Sequence, residues 1–253
     1  MNWWDSFIAM WYRQVKRFWH AKARVIGTIT QPIFWLIFFG IGFAASFRGV
    51  VFGRLDYISF MFPGIILMTI FMGSFMSGIS VIWDKEFGYL KVVLVAPSSR
   101  KASILGRSLG DATIAIIQGI IILIIGYPLV RSINVVNILP FLAVALLVSM
   151  TFAGIGILIA TRMRSMEGFQ LIVNLITMPL IFLSGIFYPI DTLPIWLKII
   201  AYINPLTYGV DASRILLTGT GSLNLMTDIT LLIILSGLFM ALAMHQFEKA
   251  TID

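Results

Sequence analysis

Apolar residues run through this chain in blocks of roughly twenty, the length that crosses a hydrocarbon layer about 30 Å thick. Six blocks lie at roughly 26–46, 57–82, 108–130, 138–160, 168–187 and 226–245, and each predicts a membrane-spanning helix. Pro32, Pro63, Pro179 and several glycines fall inside them. Such residues would weaken a soluble helix, but lipid-embedded helices tolerate them, and small residues let neighbouring helices approach closely. Ahead of the first block, residues 2–24 place Trp3, Trp4, Phe7, Trp11, Val15, Phe18 and Trp19 three or four apart, interleaved with Arg13, Lys16, Arg17, Lys22 and Arg24. That spacing predicts an amphipathic helix in the headgroup layer, aromatic rings sunk inward and cations toward anionic lipid.

Two connections are longer than a helix pair needs. Residues 84–107 mix charge with apolar side chains: Asp84, Lys85, Glu86, Phe87, Gly88, Tyr89, Leu90 and Lys91, then Ala96, Pro97, Arg100 and Lys101. Residues 188–225 are apolar for a loop, with Ile195, Trp196, Leu197, Ile199 and Ile200 between Pro189, Pro194 and Pro205, and predict a re-entrant helical hairpin in the outer leaflet. Most Lys and Arg residues fall on the side of the N-terminus and the 84–107 loop. Only Arg48, Arg54, Arg131, Lys198 and Arg214 fall on the other, so both termini are expected to be cytoplasmic.

Composition agrees with a lipid environment: 59% of residues are hydrophobic and 11% charged, against about 25% charged in a soluble domain. The net charge of +7 is dispersed between apolar blocks and predicts no nucleic-acid surface. There is no Cys, and neither His20 nor His245 has a partner at metal-ligand spacing, so no metal site is expected. No Gly-rich loop ends in Gly-Lys-Ser/Thr, so the chain lacks a Walker-type nucleotide cradle. Asp111 lies one turn after Arg107, which predicts an i,i+4 pair, and Glu167 reads as a solvated charge. Gln31, Gln118 and Asn174 are the mid-span polar groups, expected to hydrogen-bond between helices or to line a pathway. The spans hold no chain of acids, nor a Ser and His cluster, which argues against a proton-coupled pump and an intramembrane enzyme. What remains is a scaffold driven from outside itself.

The stretch Ser184-Gly185-Ile186-Phe187-Tyr188-Pro189-Ile190-Asp191-Thr192-Leu193-Pro194-Ile195-Trp196-Leu197, with Asn204-Pro205-Leu206-Thr207-Tyr208 and Arg214, resembles the membrane subunits of type-2 ABC exporters, particularly permeases of the daunorubicin-resistance kind. Glu86-Phe87-Gly88-Tyr89-Leu90, with Leu94, Ala96, Pro97, Arg100, Leu105, Gly106 and Arg107, is similar to that family's coupling loop, although Lys91 stands where the family often has an acid. The resemblance implies an all-α, polytopic fold: one transmembrane domain over 1–253, with six spans, the interfacial helix and the external hairpin. It implies a multi-pass permease of the cell membrane that is not itself an enzyme, working as a homodimer with two copies of a separate ABC ATPase that binds ATP and Mg. Asp84, Glu86, Phe87, Gly88, Leu90, Pro97 and Arg100 are then expected to couple to the ATPase. Tyr188, Pro189, Leu193, Pro194, Trp196, Asn204 and Pro205 are expected to form an external gate. Phe71, Phe75, Asn174 and Met178 are candidates for the translocation path, whose apolar and aromatic character suits a hydrophobic or amphipathic cargo. Export of lipids or lipid-linked polysaccharide is the alternative within the class, and an ATPase-independent channel the alternative outside it.

Overall fold

The computed structural model of the chain describes residues 3–20, 22–42, 55–86, 99–130, 133–163 and 165–248. The regular elements among the described residues are all helices. Helix α1 spans Trp3–His20 and α2 spans Lys22–Trp35, continuing as a π-helical turn over Leu36–Ile41. Then come α3 (Tyr57–Phe75), α4 (Ser77–Glu86), α5 (Arg100–Gly126), α6 (Ile138–Arg162) and α7 (Met166–Phe182). Two short helices, α8 (Ile195–Ile203) and α9 (Pro205–Thr218), precede α10 (Leu225–Glu248). Four stretches are long and apolar enough to cross a membrane: Tyr57–Asp84, Lys101–Leu129, Val135–Arg162 and Leu225–Phe247. Ile26–Gly40 and Met166–Phe182 are shorter apolar helices.

Helix α3 is the axis of the bundle. It is buried on nearly every side, from Tyr57 through Phe71, because α5, α6 and α9 all pack around it. A helix apolar all round is what such a position requires. Helix α10, equally apolar, packs mainly on α6 and leaves Ile233, Ile234, Leu238 and Leu242 exposed, as a lipid-facing helix would.

Three boundaries differ from the sequence expectation. The third apolar block begins at 108, but α5 starts two turns earlier, where Ser99 caps it by accepting from the Ala102 amide at 3.4 Å. The second block is broken at Met76, which separates α3 from α4. The fifth block, expected to reach 187, ends as a helix at Phe182. The chain then turns through Gly185, at φ +79°, and drives Ile186 and Phe187 into the core; a left-handed φ favours glycine there.

The 188–225 segment is two different things. Helix α8 exposes Ile195, Trp196, Ile199 and Ile203, whereas α9 is a core element packed against α3, α6 and α10. Asn204 joins them. Its Oδ1 accepts from the Leu206 amide at 3.0 Å and its Nδ2 donates to the Leu180 carbonyl at 2.8 Å, while Pro205 opens α9 at the position where a missing N–H costs nothing.

Helix crossings are set by backbone contact. A Cβ on Gly78 of α4 would collide with the Gly156 carbonyl of α6, and one on Gly156 with the Phe75 carbonyl. Gly237 on α10 has open space around it. Gly78→Leu is therefore expected to destabilise the protein by at least the ~1–3 kcal/mol of an overpacked core, read as a lowered thermal midpoint in detergent. Gly237→Leu should leave the midpoint unchanged; equal effects would contradict the crossing.

Candidate functional site

The 84–107 segment has its two roots in the described structure, and they are tied to each other. Asp84, in the last turn of α4, and Arg107, in the second turn of α5, form a buried ion pair through the Arg107 Nη2. Arg13 of α1 completes it, donating from Nη2 to the other Asp84 oxygen, Oδ1, at 3.0 Å and from Nη1 to the shared Oδ2 at 3.4 Å. Asp84 and Arg107 are 4% and 3% exposed, so this carboxylate is held between two guanidinium groups away from solvent. Arg13 is partly exposed and reaches in from the edge.

Beside this triad lies a second carboxylate. Asp111, one turn further along α5, accepts from Gln14 Nε2 at 3.1 and 3.2 Å and from the Ser77 hydroxyl. The Trp11 indole donates to Thr113 Oγ1 at 3.1 Å, and Arg17 lies 4.4 Å from the Trp83 ring centroid. Three helices thus meet through charge: α1 supplies Arg13, Gln14 and Arg17, α4 supplies Ser77, Trp83 and Asp84, and α5 supplies Arg107 and Asp111.

Sequence places α1 there. Its buried stripe is Ser6, Met10, Gln14 and Phe18, spaced i,i+4, so small and polar groups face the bundle while Trp3, Trp4, Tyr12 and Trp19 remain outside. On α5 the matching surface is Gly106 and Gly110. A Cβ at Gly106 would strike the Phe7 carbonyl, and one at Gly110 would come within 2.7 Å of the Gln14 Cβ. The backbone of α1 lies directly on α5, which is what small residues four apart permit.

The structure adds to the expected i,i+4 pair: Arg107 forms its close ion pair with Asp84, while Asp111 still acts on Arg107 electrostatically and accepts from Gln14 and Ser77. The close pairing crosses helices because both carboxylates are enclosed by α1, which local spacing on α5 cannot anticipate. Asp84 itself sits at the root of the loop, inside the triad, rather than on an open surface. Glu86 closes α4 and Arg100 opens α5; Phe87, Gly88, Leu90 and Pro97 lie outside the described residues. Arg13 was legible only as one of several cations, yet the Gly106 and Gly110 spacing, with an ionisable residue after each, marks the surface that receives it.

At the other end of the bundle, Arg214 of α9 is the organiser. Its Nε donates to the Phe60 carbonyl at 3.1 Å and its Nη2 to the Gly185 carbonyl at 2.6 Å, with the guanidinium 3.8 Å from the Phe60 ring centroid. Asp211, 3.9 Å from Arg214 Nη1, accepts the Ser222 and Leu223 amides at 2.8 Å each, and buried Asp228 lies beside it. Sequence reading passed over both acids. Of the residues expected at an external gate, Asn204 and Pro205 are buried, Tyr188, Pro189 and Leu193 are half-buried, and Pro194 and Trp196 are exposed.

The candidates for a path separate into two groups. Phe71 and Phe75 are fully buried, 5.5 Å apart and edge-on to Phe152, so they belong to the core of the chain. Asn174 and Met178 are exposed on α7, where Asn174 Oδ1 accepts from Gln170 Nε2 at 3.0 Å.

The family model described as "ABC-2 type transporter" matches residues 5–218. The chain is 34% identical over 199 residues to the ycf38 transport permease of Cyanophora paradoxa, covering 76% of this chain and 67% of that protein. It is 27% identical over 215 residues to the daunorubicin resistance ABC transporter permease protein of Streptomyces coeruleorubidus, covering 83% and 74%. It is 24% identical over 235 residues to the inner membrane transport permease YadH of Escherichia coli K12, covering 91% and 90%.

Removing one partner of a buried ion pair strands the other, at a cost of about 3–5 kcal/mol, whereas replacing both by apolar residues can be neutral. Asp84→Leu is accordingly expected to lower thermal stability sharply, and Asp84→Leu combined with Arg107→Met to recover much of the loss. Additive losses in that double-mutant cycle would contradict the pairing.

Proposed function

The chain belongs to the ABC-2 type transporter family, and from that premise we propose that it is the membrane-spanning permease of an ATP-driven exporter that moves a hydrophobic or amphipathic cargo outward by alternating access. Two copies of the chain would form the gate, in the cell membrane with both termini cytoplasmic, and two copies of a separate ABC ATPase would bind ATP and Mg. Six crossings satisfy this topology if α2 and α7 cross alongside the four longer stretches.

The observation that carries the reading is the triad of Arg13, Asp84 and Arg107. A motor pressing on the 84–107 loop would act on a segment whose two roots are clamped together and to α1. Its displacement would then be delivered to α1, α4 and α5 as one body instead of being absorbed by a flexing loop. In this scheme Glu86, Phe87, Gly88, Leu90, Pro97 and Arg100 present the docking surface, and Asp84 transmits.

The path is better sought along α2 and α7 than along α3. Gln170, Asn174 and Met178 face out from α7, Phe34 and Phe38 face out from α2, and both helices meet through the ring contacts of Trp35, Phe39 and Phe182 with Phe187, at 5.3–5.6 Å. Two copies facing each other across this side would enclose a lining of apolar, aromatic and amide groups. Helix α8, with Trp196, would cap its outer end.

The test is co-purification of the chain with its cognate ATPase, followed by cargo-stimulated hydrolysis and transport in vesicles. Glu86→Lys is expected to leave the permease folded while hydrolysis loses its response to cargo and transport falls. Failure of any ATPase to bind, even after crosslinking at Glu86 or Gly88, overturns the reading; full transport by the variant removes Glu86 from coupling.

A further inference from the structure

Between α2 and the α3–α5 pair lies a chamber of about 340 Å³, walled chiefly by Met68, Met72, Met76 and Ile79 with Pro32 of α2 opposite. Beside it, toward α1, lies a smaller space of about 40 Å³ that reaches Gln14, Arg17 and Asp111, the two sharing Thr28, Gly73, Met76, Ile79, Trp83 and Gln118. The chamber differs from the α2–α7 face described above in that none of its lining comes from α7.

Three observations say what it fits. Its size falls in the range of small-molecule sites, roughly 300–1,000 Å³, and its walls are methionines, whose flexible and polarisable side chains adapt to chains of varied shape. Its polar groups include two amides beside the hydroxyls of Thr28 and Thr69: Gln118 is 2% exposed and donates to Thr28 Oγ1 at 2.8 Å, while Gln31 is exposed at the rim and makes no hydrogen bond to any described residue. An amide in a predicted span without a partner calls for one. The charges at the smaller space are already engaged, Arg17 over Trp83 and Asp111 by Gln14 and Ser77, so they do not call for an ionic head group.

We propose that this chamber is a binding site for a neutral, single-chain amphiphile, its chain lodged among Met68, Met72 and Met76 and its hydroxyl or amide head hydrogen-bonded to Gln31 and Gln118. The inference does not depend on the transport reading. Such an occupant would sit against the helices that Gln14 and Asp111 join, filling the gap between α2 and α3 from within.

The test uses the full chain in phosphatidylcholine nanodiscs, alone and with its ATPase where one co-purifies, exposed to monopalmitoylglycerol carrying a diazirine in mid-chain, with labelled residues mapped by mass spectrometry. Labelling is expected on Met68, Met72, Met76 or Ile79 and should be competed by unlabelled monopalmitoylglycerol. Met72→Trp, which fills the chamber, should reduce it at least about fivefold, and Gln31→Leu should weaken competition by about five- to tenfold, the effect of one lost hydrogen bond. A diazirine-bearing alkane without a head should label wild type and Gln31→Leu equally. ATP turnover that depletes the label identifies the occupant as cargo, and unchanged labelling identifies it as resident lipid; both uphold the site. Label confined to the outer faces at Leu171, Leu175 or Ile233, or label that unlabelled competitor does not displace, overturns it, and the competition arm decides on wild-type protein even if Met72→Trp fails to fold.

Discussion

A carboxylate enclosed between two guanidinium groups cannot move without them. Taking charges out of water is costly, and only close pairing offsets it, so Asp84, Arg13 and Arg107 hold one another where each alone would be unfavourable. Much of the rest follows from that constraint. Helix α1 must lie on α5 close enough for Arg13 to arrive, which requires Gly106 and Gly110; the end of α4 must lie beside the start of α5; and the second carboxylate, Asp111, is enclosed in the same act and needs Gln14 and Ser77. Charge here sets position rather than adding much net stability.

The two ends of the bundle solve the same problem differently. At the α1 end, side-chain charges satisfy each other across three helices. At the other, Arg214 spends its donors on main-chain carbonyls of Phe60 and Gly185, and Asp211 spends its oxygens on the amides of Ser222 and Leu223. Irregular backbone at membrane depth survives only if something supplies its missing hydrogen bonds, and these two residues supply them. Between the ends the packing is mainly apolar and its helix crossings are set by glycine contacts, with polar fastenings at either end.

Much of this was legible in the sequence because hydropathy and helical spacing are local. The apolar blocks at 57–82, 108–130, 138–160 and 226–245 correspond to the four long helices, and the resemblance carried by residues 184–197 and 86–107 led to the family that residues 5–218 match. The sequence expectation of short helices in the 188–225 segment rests on Pro189, Pro194 and Pro205, which are local signals, whereas the burial of α9 by α3, α6 and α10 is not visible in sequence. The i,i+4 rule finds the electrostatic neighbour Asp111 of Arg107 but not its close partner Asp84, because it sees one helix and Asp84 lies on another. Phe71 and Phe75 read as pathway candidates because an aromatic in a span has the same local signature whether it faces a path or a core.

The fastening at Arg214 also bears on how the chain is built. Ribosomal synthesis delivers Phe60 and Gly185 before residue 214 exists, so for most of translation those two carbonyls have no guanidinium to receive. Helices α3 and α7 can be inserted, but the turn after α7 cannot be fixed against α3 until α9 emerges and folds back between them. That end of the bundle is closed by one of the later elements made: a chain truncated before Arg214 would carry most of its long apolar helices and lack the tie to the Phe60 and Gly185 carbonyls.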